Sequence, residues 1–174
     1  MHENVETGQG YASSDTKSWI LCKNIIDIDT LLISLYEAYE PICIRKKIRL
    51  RLEISESSYP KFCADRERLF QILTIFMDNA IHHSINNKQI EIKTAAAAKH
   101  ITFFVIDHGK GIPEDDKPYI FNRFYCADKS RTDKSNFGLG LSIADELAKM
   151  MNGSVGCEDT DGGGATFFVK LPLK

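Results

Sequence analysis

Two strand pairs, each closed by a short turn and each preceded by a helix-patterned segment, constrain this chain more than any other feature of its sequence. QIEIKTAAA and HITFFVID meet around Ala98 and Lys99, and SVGCED and ATFFVKLPL meet across Gly162, Gly163 and Gly164. Strands joined this tightly pair antiparallel. Upstream, KIRLRLEIS alternates Ile48, Leu50, Leu52 and Ile54 with Arg49, Arg51 and Glu53, the period of a half-buried strand, and KFC reads as a short second one. Three helices interleave. From Asp29, Leu31, Leu32, Leu35, Tyr39, Ile42 and Cys43 recur at helical spacing, with Pro41 expected to kink or break the run. Asp65 is the expected N-cap of a longer helix to about His83, with Leu69, Ile72, Leu73, Phe76 and Ala80 on one face. FGLGLSIADELAKM supplies the third. Because helices alternate with groups of strands, not with single strands, the expected class is α+β: a two-layer sandwich with helices on one face of a mixed, mostly antiparallel sheet.

Size and charge narrow the function classes. The 174 residues hold one ordinary domain, expected over residues 19–174, because residues 1–18 are polar, lack any period and read as a mobile leader or cloning remnant. Lysine and arginine total 22 against 24 acids, for a net charge of −2, so no global basic field points to nucleic acid or to an anionic membrane. Cys22, Cys43, Cys63, Cys126 and Cys157 are scattered without a C-x-x-C pair, which fits reduced packing thiols in a cytosolic setting. No run approaches the roughly 18 apolar residues of a membrane span, so no direct membrane contact is expected of this chain, whatever a larger parent does.

Four local patterns hold residues with chemistry. FMDNAIHHS sets Asp78 and Asn79 in an otherwise apolar helix, where the amide needs a polar partner, either a neighbouring backbone group or a ligand. Asp107 ends ITFFVID and opens DHGKGIP, where Gly109 and Gly111 allow tight backbone passage; taken alone this is an Asp-Gly turn. IFNRFY gathers Phe121, Phe124 and Tyr125 around Arg123, a cluster that core packing alone explains. Gly138 and Gly140 stand at the mouth of the last helix, either as a plain turn or because a ligand's anionic part lies against unsatisfied helix N–H groups. Between these last two, CADKSRTDKSN carries Lys129, Arg131 and Lys134 in what alone reads as a solvated loop.

In this order and spacing the four resemble the nucleotide-binding boxes of the sensor histidine kinases, within the wider family of gyrase, the heat-shock chaperone of the same fold and the mismatch-repair ATPase. The resemblance runs from about Ile28 to Pro172 and is carried by D-x-G-x-G-I-P, I-F-x-R-F-Y, G-L-G-L-S-I-A and the terminal G-G-A-T-F-F-V-K-L-P. It implies a Bergerat-type ATP-binding fold and a role for each residue. Asp107 accepts from the adenine amino group, and Thr166 reaches the same base edge directly or through water, although Ala165 stands where many relatives carry Ser or Thr. Asn79 is the Mg2+ ligand and, with Arg123, belongs to the catalytic set. Gly138, Leu139, Gly140 and Leu141 admit the triphosphate at the helix N-terminus, while Lys129, Arg131 and Lys134 form a lid over it. His83 stacks on adenine and His82 is a pH-dependent phosphate partner; Gly109, Gly111, Ile112, Phe121 and Tyr125 complete the nucleotide-binding set.

Departures accompany the match. Ile75 occupies the place of a second Asn one turn before Asn79, His82 and His83 replace a common Lys and Tyr, and His108, expected to be exposed, replaces a frequent Asn. None of His2, His82, His83, His100 and His108 lies in the H-E-x-x-x-P type of acceptor motif. The resemblance therefore implies the catalytic module alone, cytoplasmic and part of a membrane-anchored sensor. Its ATP γ-phosphate goes to a histidine on a separate acceptor helical hairpin, and from there the pathway leads to a response regulator. Alternatives are an anti-sigma-type serine kinase and a nucleotide-binding scaffold with little or no chemistry.

Overall fold

The computed structural model describes residues 20–55, 58–84, 87–125 and 138–173. Its elements are, in order, β1 (Lys23–Ile26), α1 (Ile28–Lys46), β2 (Arg49–Leu52), β3 (Phe62–Asp65), α2 (Arg66–His83), β4 (Asn87–Ala96), β5 (His100–His108), α3 (Gly140–Met150), β6 (Ser154–Asp159) and β7 (Ala165–Pro172). The expected leader, residues 1–18, and the expected lid with Lys129, Arg131 and Lys134 lie outside the described residues.

β2, β4, β5, β7 and β6 form one sheet in that order, and β1 pairs with β3 in a second of two strands. Among the described residues only β2–β4 is parallel; the two expected hairpins, β4–β5 and β6–β7, are antiparallel and adjoin through β5–β7. The α+β two-layer expectation holds. Along β5, Ile101, Phe103 and Val105 are buried with Ile90 and Ile92 of β4 and Phe167, Val169 and Leu171 of β7, facing the helices. The helices return Leu31, Leu32 and Leu35 from α1, Leu69, Ile72, Leu73, Phe76 and Met77 from α2, and Ala144, Leu147 and Ala148 from α3. Stacking of Phe76 on Phe167, with ring centroids 5.6 Å apart, joins α2 to β7 in this core.

Caps set the helix starts. Asp27 accepts from Thr30 N–H at 2.9 Å to begin α1, and Asp65 accepts from Arg68 N–H at 3.1 Å to begin α2 at the expected position. Asp65 also accepts from Cys22 N–H at 2.8 Å, tying the start of β1 to α2. Of the two outcomes expected at Pro41, the break does not occur, and α1 continues through it to Lys46. The missing N–H of Pro41 frees the carbonyl of Glu37, and both residues are exposed, so that group is open to solvent while Leu35, Tyr39 and Cys43 stay packed on either side. β1 was not legible in the sequence, because three of its four residues are exposed and it has no alternation to detect.

Candidate functional site

Asp107 is the last residue of β5 on the helix side, two beyond Val105, and is 2% exposed. A carboxylate in that position needs donors. Its Oδ1 accepts from Gly109 N–H at 2.8 Å and from Ala165 N–H at 3.2 Å. Among the described residues Oδ2 has no partner. Burial raises the carboxyl above its ordinary range, and the two backbone bonds and His108 oppose that shift.

Three backbone segments converge here with no room for side chains. A Cβ on Gly109 would stand 2.4 Å from the carbonyl oxygen of His83 at the end of α2. One on Gly164 would stand 2.1 Å from the carbonyl oxygen of Asp107, and Gly164 has φ +116. Gly109 of DHGKG and Gly164 of the last hairpin are therefore required by close packing around Asp107. Gly111 shares that interface, 3.2 Å from the Gly164 carbonyl by the same measure, and Ile112 packs half-buried against the core beside it.

Asn79 lies half-buried on α2. Its Nδ2 donates to Ile75 O at 2.8 Å, the backbone partner that the sequence left as one alternative, and its Oδ1 is unengaged among the described residues. Asp78 turns the other way: it is exposed and accepts from Tyr39 of α1 at 2.8 Å. Ile75, one turn before Asn79, reaches α3, its Cγ2 lying 3.4 Å from where a Cβ on Gly140 would fall. That distance is ordinary contact, and Gly140 is helical, so neither space nor conformation within the described chain requires glycine there. Gly138 differs, because its φ of +65 is a turn conformation that favours glycine.

The N-terminus of α3 is unlike the other two. Its N-cap is Leu139, with no side-chain cap and no acidic residue in the first turn, whereas α1 and α2 each begin on a capping Asp. The N-cap side chain therefore offers its first N–H groups no acceptor. Leu141 packs half-buried against the core.

The IFNRFY cluster divides. Phe121 packs edge-on to Phe167, with centroids 6.5 Å apart, and Tyr125 donates to Asp116 at 2.5 Å, a bond that pushes its hydroxyl up to about 12. Phe124 is 73% exposed with φ +62, so the core-packing reading does not extend to it. Its N–H donates to Gly138 O at 3.1 Å, joining the cluster to the glycine pair. Arg123 is paired with Glu146 of α3. Lys117, missed by the sequence reading, ties this segment to the end of β6 through Asp159 at 2.6 Å and is also paired with Glu114.

The remaining expected residues fall at the margins. His82 is exposed at the end of α2 with its ring edge-on to half-buried His83, centroids 4.9 Å apart. Thr166 projects from the sheet face away from the helices, its Oγ1 2.9 Å from that of Thr160, and pairs with Ile106. The β7 residue on the face of Asp107 is Ala165. His108 is not exposed as expected: its side chain is 20% accessible and bonds to Glu91.

The model of the histidine kinase-, DNA gyrase B-, and HSP90-like ATPase family matches residues 64–174. The signal transduction histidine-protein kinase ArlS of Staphylococcus haemolyticus (strain JCSC1435) is 33% identical, over 78% of this chain and 32% of its own length. ArlS of Staphylococcus aureus (strain USA300) is 34% identical, over 74% of this chain and 32% of its own. The chain thus spans about a third of the length of the curated relatives it matches. Full-length ShkA, solved in complex with AMPPNP, superposes with a TM-score of 0.78 at 31% identity, over 88% of this chain and 32% of that one. The nucleotide-free catalytic domain of histidine kinase ThkA shares the fold at a TM-score of 0.75 and 24% identity, over 87% of this chain and 97% of that one. The chain belongs to the histidine kinase-, DNA gyrase B-, and HSP90-like ATPases, and within them the relatives it resembles are sensor histidine kinases.

Proposed function

We propose that this chain binds Mg-ATP and donates the γ-phosphoryl group to a histidine on a separate acceptor helical hairpin of its parent kinase, upstream of a response regulator, on the cytoplasmic side of the membrane. The observation that carries the reading is the state of Asp107. It is a buried carboxylate with one oxygen fixed by two backbone N–H groups and the other without a partner among the described residues. Such a group demands a donor, which the adenine amino group provides and the keto oxygen of guanine opposes. The complex of ShkA with AMPPNP supports an adenine nucleotide, since that protein is 31% identical over 88% of this chain.

The uncapped start of α3 offers N–H groups and the positive end of a helix dipole to the phosphates. Asn79 fits a magnesium site through its unengaged Oδ1, a neutral oxygen of the type that hard cation accepts. A bound magnesium ion supplies charge neutralisation between the phosphates. Arg123 is held by Glu146 on α3, the helix that begins at Gly140, and on this reading it acts from there on the transferred group. Ile75 adds no polar side-chain atom one turn before Asn79, so on this reading Asn79 is the α2 side chain that would hold the metal. In the transfer, the imidazole nitrogen forms a bond to γ-phosphorus as the bond to the β–γ bridging oxygen breaks, and ADP leaves. The chain contributes positioning and charge, with no general base of its own.

The test is calorimetry with ATP and GTP, followed by transfer of labelled phosphate to the parent's acceptor helices supplied in trans. Tight ATP binding, weak GTP binding and acid-labile phosphate on the helices, with none on this chain alone, are expected. Nucleotide binding without transfer to those helices refutes the kinase and favours a scaffold; alkali-labile phosphoserine on a partner favours the serine kinase.

A further inference from the structure

The backbone ladder is interrupted at the strand end that carries Asp107. Between β4 and β5, Ile90 is opposite Asp107 and Asn87 is opposite His108, so Lys88 and Gln89 are two extra residues on β4 against none on β5. An irregularity of this kind unpairs the strand locally and leaves the aim of nearby side chains to other contacts. Here a side-chain network crosses the gap on the sheet face away from the helices. His108 Nε2 lies 3.1 Å from Glu91 Oε1, and Gln89 Nε2 donates to the same oxygen at 2.7 Å. An ionised carboxylate only accepts, so Nε2 carries the proton. The two side chains are 17% and 20% accessible, which limits competition from water. The bonds from His108 and Gln89, and the nearby charge of Arg51, hold the Glu91 carboxyl below its usual range. Glu91 therefore stays ionised and bonded at neutral pH.

His108 is the residue after Asp107, and strand alternation puts their side chains on opposite faces. Pulling on one therefore sets the tilt of the other. We propose that Glu91 and His108 are positioning residues for base recognition, bracing the interrupted end of β5 from behind so that the Asp107 carboxylate meets the nucleobase at a fixed angle. The proposal rests on Asp107 being the adenine acceptor.

The experiment measures, by calorimetry, binding of Mg-ATP and of magnesium tripolyphosphate, which has no base, to the native chain and to four variants. Glu91→Ala and His108→Ala are each expected to weaken ATP about 5- to 10-fold, the scale of one ordinary hydrogen bond, and to leave tripolyphosphate unchanged. Glu91→Gln keeps an oxygen that accepts from Nε2 and should remain within about twofold of native. Unchanged ATP affinity in Glu91→Ala and His108→Ala overturns the brace, as does an equal loss of tripolyphosphate, which would mean general loosening of the site. A Glu91→Gln as weak as Glu91→Ala overturns it too, by making charge the cause. Asp107→Asn separates the two levels: if it binds ATP normally, the base-acceptor reading itself is wrong. If it loses ATP while the Glu91 and His108 variants do not, only the brace is wrong.

Discussion

Asp107→Asn separates what the carboxylate does for nucleotide from what it does for the fold. The amide retains an oxygen in place of Oδ1, so the bonds from Gly109 and Ala165 survive, while Oδ2 becomes an NH2. Facing the adenine amino group, that NH2 sets donor against donor. Loss of one charge-assisted hydrogen bond with a mismatched pair in its place costs about 2–3 kcal/mol, or about 30- to 150-fold in affinity. With ATP at 100 times the native dissociation constant, ligand stabilisation is about 2.7 kcal/mol; a 100-fold weaker variant keeps only about 0.4 kcal/mol. For a domain of this size the melting shift on adding Mg-ATP drops from about 5–11 °C to about 1 °C. Without ligand the sign reverses. Burial raises the Asp107 carboxyl, so the folded state holds more protons than the unfolded state between the two pKa values. Stability then falls as pH rises through that window, and the whole cost is present above it. The variant has no such cost. At pH 7 the ligand-free variant should melt at or above the native temperature, and the difference should shrink as pH is lowered through the window. Thermal denaturation with ATP, with GTP and without nucleotide reads all three effects. An undiminished ATP shift in the variant refutes the base contact, and a ligand-free variant that melts clearly lower refutes the account of Asp107 as a carboxylate held at a cost.

Gly164→Ala places a Cβ 2.1 Å from the Asp107 carbonyl at φ +116, and should destabilise by about 3 kcal/mol or more in urea titration; a loss under about 1 kcal/mol means the hairpin loop does not lie against Asp107. At Phe124, 73% exposed with φ +62, Phe124→Asn should be more stable than Phe124→Ala by about 0.5–1 kcal/mol, since Asn tolerates the left-handed region. The opposite order in chemical denaturation contradicts that backbone conformation. Asn79→Ala removes only an i to i−4 side-chain bond and gains helix propensity, so its stability should stay within about 0.5 kcal/mol of native. The same variant should lose the magnesium dependence of ATP affinity in calorimetry, and a retained dependence moves the metal away from α2.

The elements with a clear period were legible in the sequence, and the contacts between them were not. α2 announced itself through Asp65 and a stripe of Leu69, Ile72, Leu73 and Phe76, and both hairpins through runs that alternate on either side of glycine or Ala-Lys turns. β1 is short and exposed on three of four residues, so local pattern carries no trace of it; its partner β3 lies about forty residues further on in the sequence. Site residues divide the same way. Asp107, Gly109 and Gly164 are set by backbone closeness, which leaves its mark as residue type, and type is what a sequence records. Thr166 was assigned by resemblance to the base edge, yet strand alternation from Ala165, whose N–H bonds to Asp107, puts its side chain on the other face. A shift of one residue along a strand exchanges the two faces, so a motif match must be exact to the residue before it locates a contact. His108 shows the limit from the other direction. A polar residue just before a glycine turn reads as exposed, yet it is half-buried and bonded to Glu91, on a strand whose register shifts by two residues just before they meet. Irregular register has no sequence period, so the contacts that gather around the end of β5 are those that pattern reading is least able to find.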